Sequence, residues 1–284
     1  MKPPCKPFVF FGTPSVAAHT LEALLKADFS PVAVVTNPDA PHGRGLELKP
    51  SPVKRLAEER GIPVLTPSEL DSAAQALITA FEATYAVVVA YGKIFPEELI
   101  AAFPLGVLNV HYSLLPKYRG ATPMETALLN GESETGVTIQ KMVRKLDAGD
   151  ILAQEELAIA PDDTARELRP RLIEAGAKLL IETLPMFEKG LGTLTPQDES
   201  KATRARKFKK EDGQLDLAAP PRENWNKYRA YADTIGTHFF THNGTRVKII
   251  RATFANGAFV IDRVTPEGKV EMAYSEFAKE RATA

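Results

Sequence analysis

The sequence predicts an α/β chain: a doubly wound, mainly parallel sheet followed by a second, small β-rich domain. Three observations carry this. Short apolar runs with β character alternate with segments of helical periodicity across residues 8–188, the pattern of strand–helix–strand units. The run Tyr85-Ala86-Val87-Val88-Val89-Ala90 is apolar without alternation, as a strand covered on both faces must be. The charge also changes sign along the chain. Residues 1–200 hold 19 Lys+Arg and 26 Asp+Glu, a net of −7, whereas residues 201–284 hold 16 and 10, a net of +6.

In chain order, Phe8-Val9-Phe10-Phe11 reads as a buried first strand. Gly12-Thr13-Pro14 turns it into a helix, with Thr13 predicted as N-cap and Pro14 as the first helical residue. No G-x-G-x-x-G is present, so this turn is not a dinucleotide fingerprint. Pro31 to Thr36 is a second strand, and residues 37–52 read as a long irregular loop, a length that is often functional. Ser51 or Pro52 opens a helix that Gly61 ends. Ile62 to Leu65 is a third strand, and Ser68 is the predicted cap of the next helix. A long helix begins at residues 164–167, with Leu168, Leu172, Ala175, Leu179, Leu180 and Leu184 inward.

The chemistry concentrates between Gly106 and Asp150. The strand Val107-Leu108-Asn109-Val110 delivers Asn109 and His111 on alternate positions, so both side chains leave one face. The loop 113–120 follows, then a second β-type run, Thr138 to Val143, leads to Asp147. An imidazole can act as acid or base near neutrality. A carboxylate can orient it, and an amide can donate to a developing oxyanion. No serine sits in a G-x-S-x-G elbow. The set suits transfer of a carbonyl group between two bound substrates without a covalent intermediate. It is equally compatible with a core histidine at a strand end and a capping aspartate.

The blocks LNVHYSLLPKYRGATP, ETGVTI and LDAGDI resemble the signature of the folate-dependent formyltransferases, with Tyr112 and Thr122 as small departures outside the three polar residues. The resemblance implies a Rossmann-like catalytic sheet. It implies that Asn109, His111 and Asp147 are the catalytic set and that 10-formyltetrahydrofolate is the formyl donor. It places the folate against Ala90, Tyr91, Gly92 and Ile94 and against Ser113, Leu114, Leu115 and Pro116. Gly92 has a physical reason, since a planar ring can approach its backbone closely. The stretches P-D-x-P-x-G-R-G and L-x-P-S-P-V-K resemble the loop that meets a tRNA acceptor end in tRNA-directed members. Leu46-Glu47 stands where a Lys pair is common, which leaves Arg44 and Lys49 as the phosphate contacts.

The expected domains are 1–190 (catalytic), 191–210 (a basic linker) and 211–284 (the β domain). Residues 201–210 hold six cations and no anion, and Arg204, Arg206, Lys207, Lys209 and Lys210 are the expected tRNA contacts. The β domain resembles the family's OB-like barrel in reduced form, without a middle hairpin between Ala252 and Phe259. Trp225 to Asp233 reads as a short helix, and His242-Asn243-Gly244-Thr245 as a hairpin turn. A single cysteine excludes an intramolecular disulfide, and no H-E-x-x-H is present, so no metal is expected. No run approaches the length of a membrane span, so the cytoplasm is the expected location. A monomer is expected as well. The expected acceptor is the α-amine of initiator methionyl-tRNA. An amino-sugar nucleotide, water in a formyl-folate hydrolase, and a non-catalytic RNA-binding role are the alternatives. The basic run favours tRNA, because a sugar nucleotide does not need it.

Overall fold

The computed structural model describes residues 5–42 and 47–282. They form two compact units. The first comprises Met1–Arg119, Gly136–Glu156 and Leu172–Thr203, and the second Gly120–Thr135, Leu157–Arg171 and Arg204–Ala284. Segments 120–135 and 157–171, which the sequence assigns to the first domain, thus pack with the C-terminal part. Residues 191–203 pack with the first unit.

The elements run β1 (Phe8–Gly12), α1 (Ser15–Lys26), β2 (Ala33–Val35), β3 (Ala40–His42), β4 (Glu47–Lys49), α2 (Pro52–Glu59), β5 (Val64–Leu65), α3 (Ser72–Thr79), β6 (Tyr85–Val89), α4 (Glu97–Ala101), β7 (Gly106–His111), β8 (Arg119–Gly120), α5 (Pro123–Leu129), β9 (Glu134–Lys141), β10 (Ile151–Ala158) and α6 (Ala165–Glu188). The main sheet has the order β10-β9-β7-β6-β1-β2-β5. Pairing is parallel from β7 through β6, β1 and β2 to β5, and antiparallel between β7 and β9. From β1 the chain winds out through β2 and β5 on one side, then through β6 and β7 on the other. The winding direction therefore switches between β1 and β6, and open α/β sheets bind ligands at the carboxyl ends of the strands at such a switch point.

The core follows from the apolar runs. β1 and β6 are buried along their whole length. Phe8 stacks on Tyr85 at 5.1 Å, and Phe11 meets Tyr91, Phe95 and Phe103 edge-on. The six predicted inward residues of α6 are all buried. Gly12 is required by crowding: a Cβ there would lie 2.5 Å from the Ala17 Cβ and 3.0 Å from the Val89 carbonyl oxygen.

Three local expectations change. The cap of α1 is Pro14, with no side-chain hydrogen bond; Thr13 Oγ1 instead accepts from the Asn37 N–H at 3.3 Å. Asp71, rather than Ser68, caps α3 by accepting from the Ala74 N–H. Residues 37–52 are not wholly irregular, since β3 and β4 pair antiparallel with Ala40 opposite Lys49. Ser51 caps α2 as expected, accepting from the Lys54 N–H at 3.0 Å.

The second unit continues with β11 (Arg204–Ala205), α7 (Pro221–Tyr231), β12 (Thr237–Phe240), β13 (Arg246–Ala255), β14 (Ala258–Pro266), β15 (Met272–Ala273) and α8 (Tyr274–Ala282). Its sheet is antiparallel in the order β12-β13-β14-β15. The missing middle hairpin is replaced by a two-residue turn in which Asn256 and Gly257 have φ of 52° and 77°. That is the conformation an Asn-Gly hairpin favours. Leu215, Trp225, Tyr228, Phe239, Val247, Ile249, Val264 and Phe277 form the core. The Trp225 indole N–H donates to the Pro161 carbonyl at 3.1 Å. No described helix is long and apolar enough to cross a membrane.

Candidate active site

Sheet register brings the polar residues together. On β7, Asn109 lies opposite Gln140 of β9, and His111 lies opposite Thr138. Residues directly opposite share a face, and so do residues two apart. Asn109, His111, Thr138 and Gln140 therefore project to one side of the sheet, at the end of β7. Asp147 comes from the turn after β9. Its Oδ2 lies 3.7 Å from His111 Nδ1, and its Oδ1 accepts from Asn109 Nδ2 at 3.4 Å and from Gln140 Nε2 at 3.0 Å. The His111 side chain is 6% exposed and that of Asp147 11%. Asp147 thus meets both of the other expected residues, Asn109 and His111.

The histidine's orientation is set from its far side. His111 Nε2 lies 3.0 Å from the Tyr118 carbonyl oxygen, which can only accept, so Nε2 carries a proton. Nδ1 is then the nitrogen that faces the carboxylate. Tyr118 holds its carbonyl there with a φ of 63°, while its N–H donates to Thr203 Oγ1 at 2.8 Å.

The turn bearing Asp147 is tightly held. Asp147 has a φ of 48°, an uncommon backbone state outside glycine. Gly149 sits so close to β9 that a Cβ would fall 1.8 Å from the Lys141 carbonyl oxygen. The Gly149 N–H donates to Gln140 Oε1 at 3.2 Å. Gln197 Nε2 donates to the carbonyls of Asp147 and Gly149 at 2.9 and 2.7 Å. Gln197 Oε1 accepts from Arg119, whose guanidinium also pairs with Glu199 at 2.9 Å. Lys145 adds a bond to Glu199 at 2.7 Å. Hydrogen bonds from Arg119 and Lys145 hold the Glu199 carboxyl down to about 2.

Gln140, Gln197 and Arg119 are the site residues that sequence reasoning missed. Gln140 carried a signal: a polar side chain inside an otherwise buried strand, two residues from Thr138. Gln197 carried none, because it reaches the site across 50 residues of chain.

The expected folate segments divide. At the carboxyl end of β6, Ala90 and Gly92 are exposed with φ of 46° and 82°, and Ile94 is 88% exposed. A Cβ on Gly92 would meet nothing within 4 Å. The Tyr91 ring turns into the core instead, where burial pushes its hydroxyl up to about 12. In the loop after β7, Ser113 and Leu115 are buried and their polar groups are engaged. Ser113 Oγ donates to the Lys117 carbonyl at 2.7 Å, and Leu115 bonds Thr138 and Gln154. Leu114 and Pro116 are half-buried.

Of the expected cationic residues, Arg44 lies outside the described residues. Lys49 is exposed, 4.0 Å from Glu47. Arg204, Lys207, Lys209 and Lys210 are exposed, whereas Arg206 is paired with Asp212 at 2.6 Å. The segment holds a two-residue strand at Arg204–Ala205 and a 3-10 turn over Lys210–Gly213. Among the described residues no group of three or more His, Cys, Asp and Glu side chains is placed to hold a metal ion.

Residues 6–184 match the family model described as Formyl transferase, which fits an amide–imidazole–carboxylate set with no serine elbow. A methionyl-tRNA formyltransferase of Synechococcus sp. (strain JA-3-3Ab) is 45% identical over 248 residues, spanning 86% of this chain and 76% of the relative. That of Thermotoga maritima is 40% identical over 282 residues, spanning 95% and 90%. An N-formyltransferase of Helicobacter canadensis, solved with folinic acid and dTDP-3-aminofucose, superposes with a TM-score of 0.68 over 88% of each chain at 21% identity, a likeness of fold. The chain belongs to the methionyl-tRNA formyltransferase family.

Proposed function

We propose that the protein transfers the formyl group of 10-formyltetrahydrofolate to the α-amine of initiator methionyl-tRNA, with Asn109, His111 and Asp147 carrying the step. The single observation behind this is that Asp147 meets both Asn109 and His111 at the end of β7. The free amine attacks the formyl carbon and a C–N bond forms. The Asn109 amide donates to the oxyanion of the tetrahedral intermediate, and protonated His111 lends it positive charge. Asp147 takes the proton from the attacking nitrogen. The bond from carbon to the folate N10 then breaks, and that nitrogen receives the proton. Tyr118 serves by holding Nε2, which turns Nδ1 toward Asp147.

The exposed main chain of Ala90 and Gly92, with the Ile94 side chain beside it, offers an apolar, flat-approach surface suited to a pterin ring. Leu114 and Pro116 are the members of the second folate segment left partly open. Ser113 acts within the loop rather than on the ligand. The cations Arg204, Lys207, Lys209 and Lys210, together with Lys49, supply the charge to meet RNA phosphates. The protein acts as a monomer in this reading, in the cytoplasm. The test is an acceptor comparison with 10-formyltetrahydrofolate as donor. Charged initiator tRNA should be formylated, and amino-sugar nucleotides should not. Preferential formylation of a sugar amine would overturn the assignment.

A further inference from the structure

We infer that Gln140 is a positioning residue for the reaction, fixing the plane of the Asp147 carboxylate so that one of its oxygens faces His111. This rests on the reading of Asp147 as a reacting group. The Gln140 side chain is 1% exposed and spends both ends of its amide on the Asp147 turn. Nε2 donates to Asp147 Oδ1 at 3.0 Å, and Oε1 accepts from the Gly149 N–H at 3.2 Å. Asn109 Nδ2 approaches the same Oδ1 at 3.4 Å. Oδ2 faces His111 Nδ1, at 3.7 Å. The charged group facing this carboxylate from β7 is His111. From the 197–199 segment, Gln197 reaches the turn's carbonyls and not the carboxylate.

A carboxylate on a short side chain rotates readily about its terminal torsion, which is broad. A backbone at φ 48° fixes where the side chain starts but not the rotation of its carboxylate. That rotation is fixed by the amide donors. Gln140 is suited to this because strand register holds it directly opposite Asn109. The two amides then converge on one oxygen from neighbouring strands, at a site buried enough to strengthen each bond.

The donor and acceptor ends of Gln140 can be separated by substitution. Gln140→Met keeps the unbranched length and removes both ends. Gln140→Glu keeps the acceptor for Gly149 but turns the donor into an oxygen facing Asp147. If the donor end matters, kcat should fall in the order Gln, Met, Glu, with the Met variant down about 10- to 100-fold. KM for formyl-folate should stay within about two-fold, since Ala90 to Ile94 are untouched. If Gln140 only anchors the turn, the Glu variant should outperform the Met variant, and that order would overturn the proposal. Wild-type kcat in the Met variant would also overturn it.

Because a buried Glu could compromise folding, the Met substitution is also made in an Asp147→Asn background and followed by single turnover. A residue acting through Asp147 should there cost little further. A full additional loss would contradict it. The Asp147→Asn protein alone separates the two levels. If it is inactive while Gln140→Met is fully active, the proposal fails and the site reading stands. If it is fully active, the site reading itself fails.

Discussion

Replacing Gly149 with alanine should misplace Asp147 without unfolding the protein. Its φ is not in the left-handed region, so the cost is steric. An added Cβ would lie 1.8 Å from the Lys141 carbonyl oxygen and 2.8 Å from the carbonyl carbon. Approaches of a Cβ below 3.0 Å essentially do not occur, so strand and turn must separate by roughly 1.2 Å in a close-packed interior. Gly149 is joined to Asp147 through one residue, and its N–H and carbonyl are held by Gln140 and Gln197. The shift therefore carries the carboxylate with it. A displacement of about 1 Å at a reacting group costs about 100-fold in rate, or about 2.7 kcal/mol of barrier. Overpacking should cost about 1–3 kcal/mol of stability in addition. Steady-state formyl transfer, with thermal unfolding followed in parallel, separates the two. The loss should fall in kcat, with KM for formyl-folate little changed. A folded variant with kcat within two-fold of wild type would refute the view that this turn's position governs turnover.

Gly92→Val should weaken formyl-folate binding, since it combines a φ of 82° with a branched side chain projecting into open space at the end of β6; unchanged affinity by calorimetric titration in a folded variant would place the pocket elsewhere. Glu199 is depressed from 4.5 to about 2 by Arg119 and Lys145, so its pairing stabilises the fold above pH 4.5 and is lost as pH falls toward 2. The Tm deficit of Glu199→Gln should therefore shrink over that window, and a pH-independent deficit would contradict the pairing. Replacing Arg204, Lys207, Lys209 and Lys210 by Gln should flatten the dependence of log K for tRNA on log salt by about 0.7–0.9 for each phosphate that no longer meets a cation. Arg206, tied to Asp212, should contribute less when replaced alone. Identical salt slopes would mean that the run does not meet RNA.

Local rules are enough for most of the catalytic sheet. Apolar runs such as Phe8 to Phe11 and Tyr85 to Val89 form buried strands because nothing but burial suits them. The period of two puts Asn109 and His111 on one face. Contacts between distant segments are not legible. Gln140 meets Asn109 only through strand register, and Arg119 meets Gln197 only after 78 residues of chain have folded back. The β3–β4 pair is hidden because its residues 47–49 are exposed and carry no apolar alternation. Caps are ambiguous where two polar candidates compete, as Ser68 does with Asp71. The Asn256-Gly257 turn is legible in principle, since Asn-Gly between β-type runs is a strong hairpin signal. Helix α8 is hidden behind a two-residue β15 that joins it directly.

The most direct test of the account is formyl transfer from 10-formyltetrahydrofolate to initiator methionyl-tRNA by wild type and by Asn109→Ala, His111→Ala and Asp147→Asn, singly and in pairs. Groups that act as a unit should each lower kcat by a large factor, on the order of 1000-fold, with pairs costing little more than the worse single change. Folded His111→Ala protein that turns over at nearly the wild-type rate would contradict it.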